Sequence, residues 1–138
     1  MHTFRVMGKP VTQGSITAIP VKRKSGRIGA VAIHNHSDAL YSQRIAIQHE
    51  YTASNGQLYT DSPIEIDMTF AFVRPKSVSV KKRPHHTVKP DVDKLVRAVL
   101  DALTNVAYRD DSQVVRINAT KIYDESEYIE VTVREFAE

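Results

Sequence analysis

Cysteine is absent from the sequence, which removes disulfide frameworks, thiolate zinc sites, iron–sulfur clusters and cysteine nucleophiles from consideration. Any metal site must therefore rest on oxygen or imidazole ligands. Glycine and proline are sparse, at 5 and 6 of 138 residues, so collagen-like and low-complexity readings fall away. No stretch approaches the roughly 20 apolar residues of a membrane span. The opening Met1-His2-Thr3-Phe4-Arg5 lacks the apolar core of a secretory signal, so a cytoplasmic location is expected. What is present is an ordinary composition, 41% hydrophobic and 25% charged, at a length that suits one domain over residues 1–138.

The formal net charge is only +3, from 19 Lys+Arg against 16 Asp+Glu, which permits a polyanionic partner without demanding one. Its distribution is uneven. Residues 1–60 hold seven basic side chains (Arg5, Lys9, Lys22, Arg23, Lys24, Arg27, Arg44) and two acidic ones (Asp38, Glu50). Residues 74–89 add Arg74, Lys76, Lys81, Lys82, Arg83 and Lys89, with the pair His85-His86 and no acid. From Lys121 the sign inverts, with Lys121 and Arg134 against Asp124, Glu125, Glu127, Glu130, Glu135 and Glu138. A polarised surface is expected.

Periodicity predicts an α+β fold, a mixed sheet packed with two main helices. Phe4 to Met7 reads as a strand stopped by Gly8 and Pro10. Ser15 to Val21 and Ile28 to Ile33 read as a weaker hairpin whose basic tip is Lys22-Arg23-Lys24-Ser25-Gly26-Arg27. Ser37 or Asp38 caps a helix to about Tyr51, with Leu40, Ile45, Ile47 and Tyr51 in loose helical spacing before Asn55-Gly56. Ile64, Ile66, Met68, Phe70 and Phe72 alternate with Glu65, Asp67, Thr69 and Ala71, the pattern of a half-buried strand. A Pro-bounded basic loop follows over 74–89. The most regular helix is expected from about Asp91 to Asn105, with Val92, Leu95, Val96, Val99, Leu100 and Leu103 on one face. Two final strands, from Val114 to Ile122 and from Tyr128 to Val133, flank the acidic turn Asp124-Glu125-Ser126-Glu127.

Polar residues exceed structural need between Lys89 and Asp111. Asp93, Arg97 and Asp101 fall four apart on the regular helix, so they form one stripe opposite its apolar face. Asp91 stands at the helix start, and Asp110-Asp111 arrive just after its end. Together these carboxylates offer the oxygen donors that a hard cation such as Mg²⁺ takes alongside waters and substrate phosphate. Spacing alone also fits structural roles: Asp91 as helix cap, Asp93 paired with Arg97, Asp110-Asp111 as a turn. The neighbourhood favours chemistry, because a polyanion gripped by the basic loop would pass directly over the carboxylates. Basic surface beside an acidic metal site is what phosphodiester cleavage in nucleic acid needs.

The ordered set Lys89-Pro90-Asp91-Val92-Asp93-Lys94-Leu95, Asp101-Ala102-Leu103-Thr104 and Tyr108-Arg109-Asp110-Asp111-Ser112-Gln113-Val114 resembles the signature of the RusA family of Holliday junction resolvases, common in phages and prophages. A weaker likeness extends to Gly8-Lys9-Pro10-Val11-Thr12-Gln13-Gly14-Ser15. The resemblance implies a small α+β homodimeric endonuclease that recognises four-way junctions, requires Mg²⁺ and nicks two strands symmetrically. It implies that Asp91, Asp93 and Asp111 hold the metal, with Asp110 in support. Two departures stand out: Lys94 stands where many members have asparagine, and Arg97 stands where some use a lysine, which suits a phosphate clamp and not a proton donor.

On this reading Lys94 or Arg97 offsets charge growing on the transition state, and Mn²⁺ is a possible substitute for Mg²⁺. Lys22, Arg23, Lys24, Arg27 and the cations of 74–89 grip backbone phosphates, while His85 and His86 serve as DNA contacts or, less simply, as a proton relay. Two rivals stand beside this one: a non-catalytic module binding branched DNA, and a nuclease of the same chemistry acting on flaps or other structures.

Overall fold

The computed structural model describes the backbone of residues 1–13, 16–22, 28–34 and 37–138, and the side chains of residues 1–13 and 38–138. Elements follow in the order β1 (His2–Met7), β2 (Ile16–Lys22), β3 (Ile28–His34), α1 (Ser37–Ala53), β4 (Ile64–Phe72), α2 (Val92–Leu103), a single 3₁₀ turn (Asp111–Gln113), β5 (Val114–Tyr123) and β6 (Tyr128–Glu135). The architecture is the expected α+β one. A four-stranded sheet runs β1-β6-β4-β5, and β2 and β3 form a separate antiparallel pair.

The alternation read in β4 places it in the centre, between antiparallel β6 and parallel β5. It is more buried than a one-sided strand: Ile64, Ile66, Met68, Phe70 and Phe72 enter the core under the helices, and on the opposite face Glu65 and Ala71 are also covered. Arg134 makes the burial of Glu65 tolerable, donating to Glu65 (3.0 Å) and Asp67 (2.7 Å) and holding both carboxyls below their usual range.

Parallel pairing of β4 with β5 requires a crossover, which the 74–89 loop and α2 provide. The sheet is therefore mixed, with one βαβ unit that the strand pattern alone did not disclose. α2 buries Leu95, Ala98, Val99, Ala102 and Leu103, and packs on β5 and α1. It stops at Leu103, two residues short of the expected end; Thr104 is already extended and Asn105 takes a positive φ of 68°. α1 buries Leu40, Gln43, Ile47 and Tyr51, and leaves Ile45 exposed. Its stripe thus includes a glutamine. Gln43 earns the place by accepting from the Val11 N–H (2.6 Å) and donating to the Val11 carbonyl (2.9 Å), which clamps the strap after β1 against the helix. Gly8 turns the chain into that strap with φ +124°, a conformation that side chains resist.

Candidate active site

Two anchors hold the start of α2. Lys121 of β5 donates to the carbonyls of Val88 (2.8 Å) and Pro90 (3.0 Å), and the Gln13 N–H donates to the Lys94 carbonyl (3.2 Å). The Lys89–Pro90 peptide between them is cis. Asp91 occupies the N-cap position with extended backbone, yet its carboxylate makes no capping hydrogen bond. Its nearest cationic partner is Lys94 Nζ at 3.7 Å, with both side chains about half exposed. Asp93 and Arg97 are exposed one turn apart, and no ion pair joins them among the described residues. The structural roles that spacing allowed these aspartates are therefore largely unused.

The segment 104–113 has the opposite character. Tyr108 is fully buried and its hydroxyl donates to the Leu100 carbonyl (2.6 Å); burial, with Asp111 and Asp101 nearby, pushes its pKa up. Asp110 caps the 3₁₀ turn by accepting from the Ser112 N–H (2.9 Å), and Gln113 reciprocates by accepting from the N–H groups of Arg109 and Asp110. The Gln113 amide also donates to the carbonyls of Tyr59 and Ser62, both at 3.1 Å. The capping bonds hold the Asp110 carboxyl below its usual range. Tyr108, Asp110 and Gln113 thus form a frame, and the residue it displays is Asp111, exposed beside it.

The carboxylates fall into two groups. Asp91 and Asp93 lie at one end of α2; Asp101, about 12 Å from Asp93 along the helix axis at 1.5 Å per residue, acts with Asp111 on Tyr108 at the other. Among the described residues no three acidic or imidazole groups gather closely enough to hold a metal ion. Asp91 and Asp93 alone still suit Mg²⁺, which commonly binds one or two carboxylates and completes its shell with waters and phosphate. Asp111 does not join them within one chain, and Asp110 is committed to its cap.

Asp91 opens on a cleft of about 500 Å³ between the strap and the start of α2. Lys9, Lys89 and Lys94 supply its charge, and Pro10, Val11, Ala39 and Pro90 its apolar walls. The basic loop over 74–89 rises next to it around an aromatic cluster. His86 is 8% exposed, stacked on Phe72 at 4.2 Å between centroids and tilted against Tyr123 at 5.1 Å. Burial first, then the charges of Lys121 and Arg83, lower its pKa. Arg74 lies over the Tyr123 ring at 4.2 Å and donates to the Arg83 carbonyl, while Arg83 reaches the Tyr123 hydroxyl. His86, expected on the DNA-contacting surface with His85, is instead a packing residue, and Arg74 and Arg83 are half-buried in loop architecture. Lys76, Lys81, Lys82, His85 and Lys89 remain exposed.

Arg23, Lys24 and Arg27 lie outside the described residues, as does the side chain of Lys22. Reading the sequence missed Lys9 and Lys121 as site-forming cations. For Lys121 a signal existed: strand alternation sets it on the face of Ile117, Ala119 and Tyr123, paired with core residue Phe70, where a cation needs a partner.

Residues 13–134 match the family model described as Endodeoxyribonuclease RusA. The chain is 34% identical over 145 residues to the uncharacterized protein YqaN of Bacillus subtilis (strain 168), covering 96% of this chain and 94% of that one. It is also 34% identical over 76 residues to the crossover junction endodeoxyribonuclease rusA of Lactococcus phage r1t, covering 53% and 55% respectively. The family match takes in both aspartate groups and the frame that displays Asp111, and the chain is thereby a member of the RusA family of endodeoxyribonucleases, enzymes that hydrolyse phosphodiester bonds in DNA.

Proposed function

We propose that the protein is a Mg²⁺-dependent, structure-selective endodeoxyribonuclease that acts as a homodimer and resolves four-way DNA junctions by paired, symmetric nicks. The observation that carries this reading is the exposed Asp91–Asp93 pair at the start of α2, where Asp91 lines a cleft shared with Lys9, Lys89 and Lys94. The phage relative supports a junction as substrate, and a phage or prophage origin with action in the host cytoplasm.

Lys76, Lys81, Lys82, Lys89 and His85 grip phosphates and lead the strand over Asp91 and Asp93. The basic segment Lys22, Arg23, Lys24 and Arg27 extends that grip. Such contacts position DNA without reading bases, so selectivity lies in the shape and deformability of the branch. Asp91, Asp93 and Asp111 are the residues that would hold Mg²⁺, or Mn²⁺ in its place, which when bound supplies Lewis-acid activation of phosphate and water. Lys94 and Arg97 offset the negative charge that grows on the phosphate in the transition state.

The separation of Asp111 from Asp93 supports a dimer in which a second copy completes the set. Among the described residues β5 is an edge strand bonded only to β4. Asp111 lies just ahead of its first residue, and Lys121, beside the Pro90 carbonyl, lies near its last. Antiparallel pairing of two β5 edges about a two-fold axis brings one copy's Asp111 toward the other's Asp91 and Asp93, and covers the exposed Val115 and Ile117. Two such sites suit a two-fold substrate.

Asp93→Asn should leave junction binding intact and abolish Mg²⁺-dependent nicking of a synthetic four-way junction; undiminished nicking removes Asp93 from the site. The intact enzyme should nick the junction in preference to its duplex arms or a flap, and equal rates would refute junction selectivity.

A further inference from the structure

The cleft beside Asp91 has more than a phosphate site requires. Its volume of about 500 Å³ falls within the roughly 300–1,000 Å³ typical of sites for whole small molecules. Its lining is divided: Lys9, Lys89 and Lys94 offer three ammonium groups beside the single carboxylate of Asp91, whereas Pro10, Val11, Ala39 and Pro90 are apolar. It is also built before any ligand arrives. Gln43 clamps Val11 from both sides and the Gln13 N–H ties the strap to the first turn of α2, so neither wall must be ordered on binding. Cations around a preformed apolar recess match one chemical class in a DNA substrate, a nucleotide whose base has left the stack while its phosphates stay outside.

We propose that this cleft takes one unstacked nucleotide of the cleaved strand, next to the scissile phosphate. The apolar walls hold the base, Lys9 and Lys89 hold its flanking phosphates, and the adjoining phosphate is delivered to Asp91 and Asp93. The inference rests on the nuclease reading above and adds a source of selectivity to it. Unstacking a paired base costs a few kcal/mol, and least where pairing is already broken. A branch point thus fills the cleft at little cost, whereas continuous duplex pays the full cost before its phosphate reaches the carboxylates.

Ala39 lies in the first turn of α1, exposed and outside the core, so Ala39→Phe fills the cleft without removing a cation or an aspartate. Junctions carrying 2-aminopurine on either side of the nick position read unstacking directly, in Ca²⁺ without cleavage, so the result stands apart from whether the enzyme nicks junctions at all. Wild-type protein should raise the fluorescence several-fold at one of these positions, and Ala39→Phe should not. In Mg²⁺ the variant should nick an intact junction at least tenfold more slowly than wild type, and the deficit should vanish on a junction abasic at that position. The proposal is overturned if no position brightens with wild type, or if Ala39→Phe gives the same fluorescence and nicking rate. It is equally overturned if free deoxynucleoside monophosphates protect the cleft while no junction position brightens, which would make the site one for a mononucleotide.

Discussion

Gln113 shows how one side chain holds a site together without taking part in the reaction. Its carbonyl oxygen accepts two N–H groups that open the 3₁₀ turn, and its amide spans to the carbonyls of Tyr59 and Ser62 ahead of β4. Replacing it with leucine keeps the volume and strands these partners, a loss of about 1–3 kcal/mol for unsatisfied groups of this kind. Gln113→Leu should therefore lower Tm and, at temperatures where the protein is folded, reduce kcat for nicking through displacement of Asp111. Urea melts alongside single-turnover rates separate the two effects, and wild-type rates in the folded variant would show that the frame does not position Asp111. In sequence Gln113 is one polar residue within a motif. Its role was unreadable because the segment that its amide reaches, Tyr59 and Ser62, lies 54 and 51 residues away and meets it only on folding.

At the scale of elements, α2 was legible because its apolar spacing is regular and its buried face is continuous. α1 was harder to read, since Gln43 takes a core position that pattern reading reserves for an apolar residue, and Ile45 is left outside. The 74–89 loop inverts expectation most clearly: a segment without periodicity is organised by three rings, those of Phe72, His86 and Tyr123. That organisation makes the loop pH-sensitive. Folding lowers the His86 pKa from its ordinary value of 6.5, so the unfolded loop binds a proton more readily than the folded one. The stabilisation is complete above about pH 6.5 and is lost as pH falls through the folded value. Amide protection factors across residues 74–89, taken relative to the intrinsic exchange rate at each pH, should fall on acidification over this range. His86→Phe, which keeps the stack and removes the titrating nitrogen, should abolish that fall; an unchanged pH dependence of protection would assign it to another group.

For the whole molecule, the deciding fact is that α2 separates the two aspartate groups along a single chain. A composite dimer then makes a distinctive prediction. In a mixture of Asp93→Asn and Asp111→Asn proteins, each inactive alone, a heterodimer brings the intact Asp111 of one copy to the intact Asp91 and Asp93 of the other. With random exchange of copies, roughly a quarter of the wild-type number of sites should be restored, one per heterodimer. Single nicks in a junction plasmid measure them. If each chain builds its own site, mixing restores nothing.

Sequence alone determined the α+β class, every strand and α-helix among the described residues to within a few positions, the absence of thiolate chemistry, and the family, because periodicity, turn residues and an ordered aspartate motif are local properties of a chain. Only the tertiary structure decided which of those aspartates are free. It committed Asp110 to a cap, withdrew His86 into the core of a loop, brought Lys9 and Lys121 to the start of α2, and set Asp111 apart from Asp91 and Asp93. Hydrogen-bond satisfaction and burial are settled between segments distant in sequence, and a crossover helix that runs back along the sheet fixes which of its ends each carboxylate reaches.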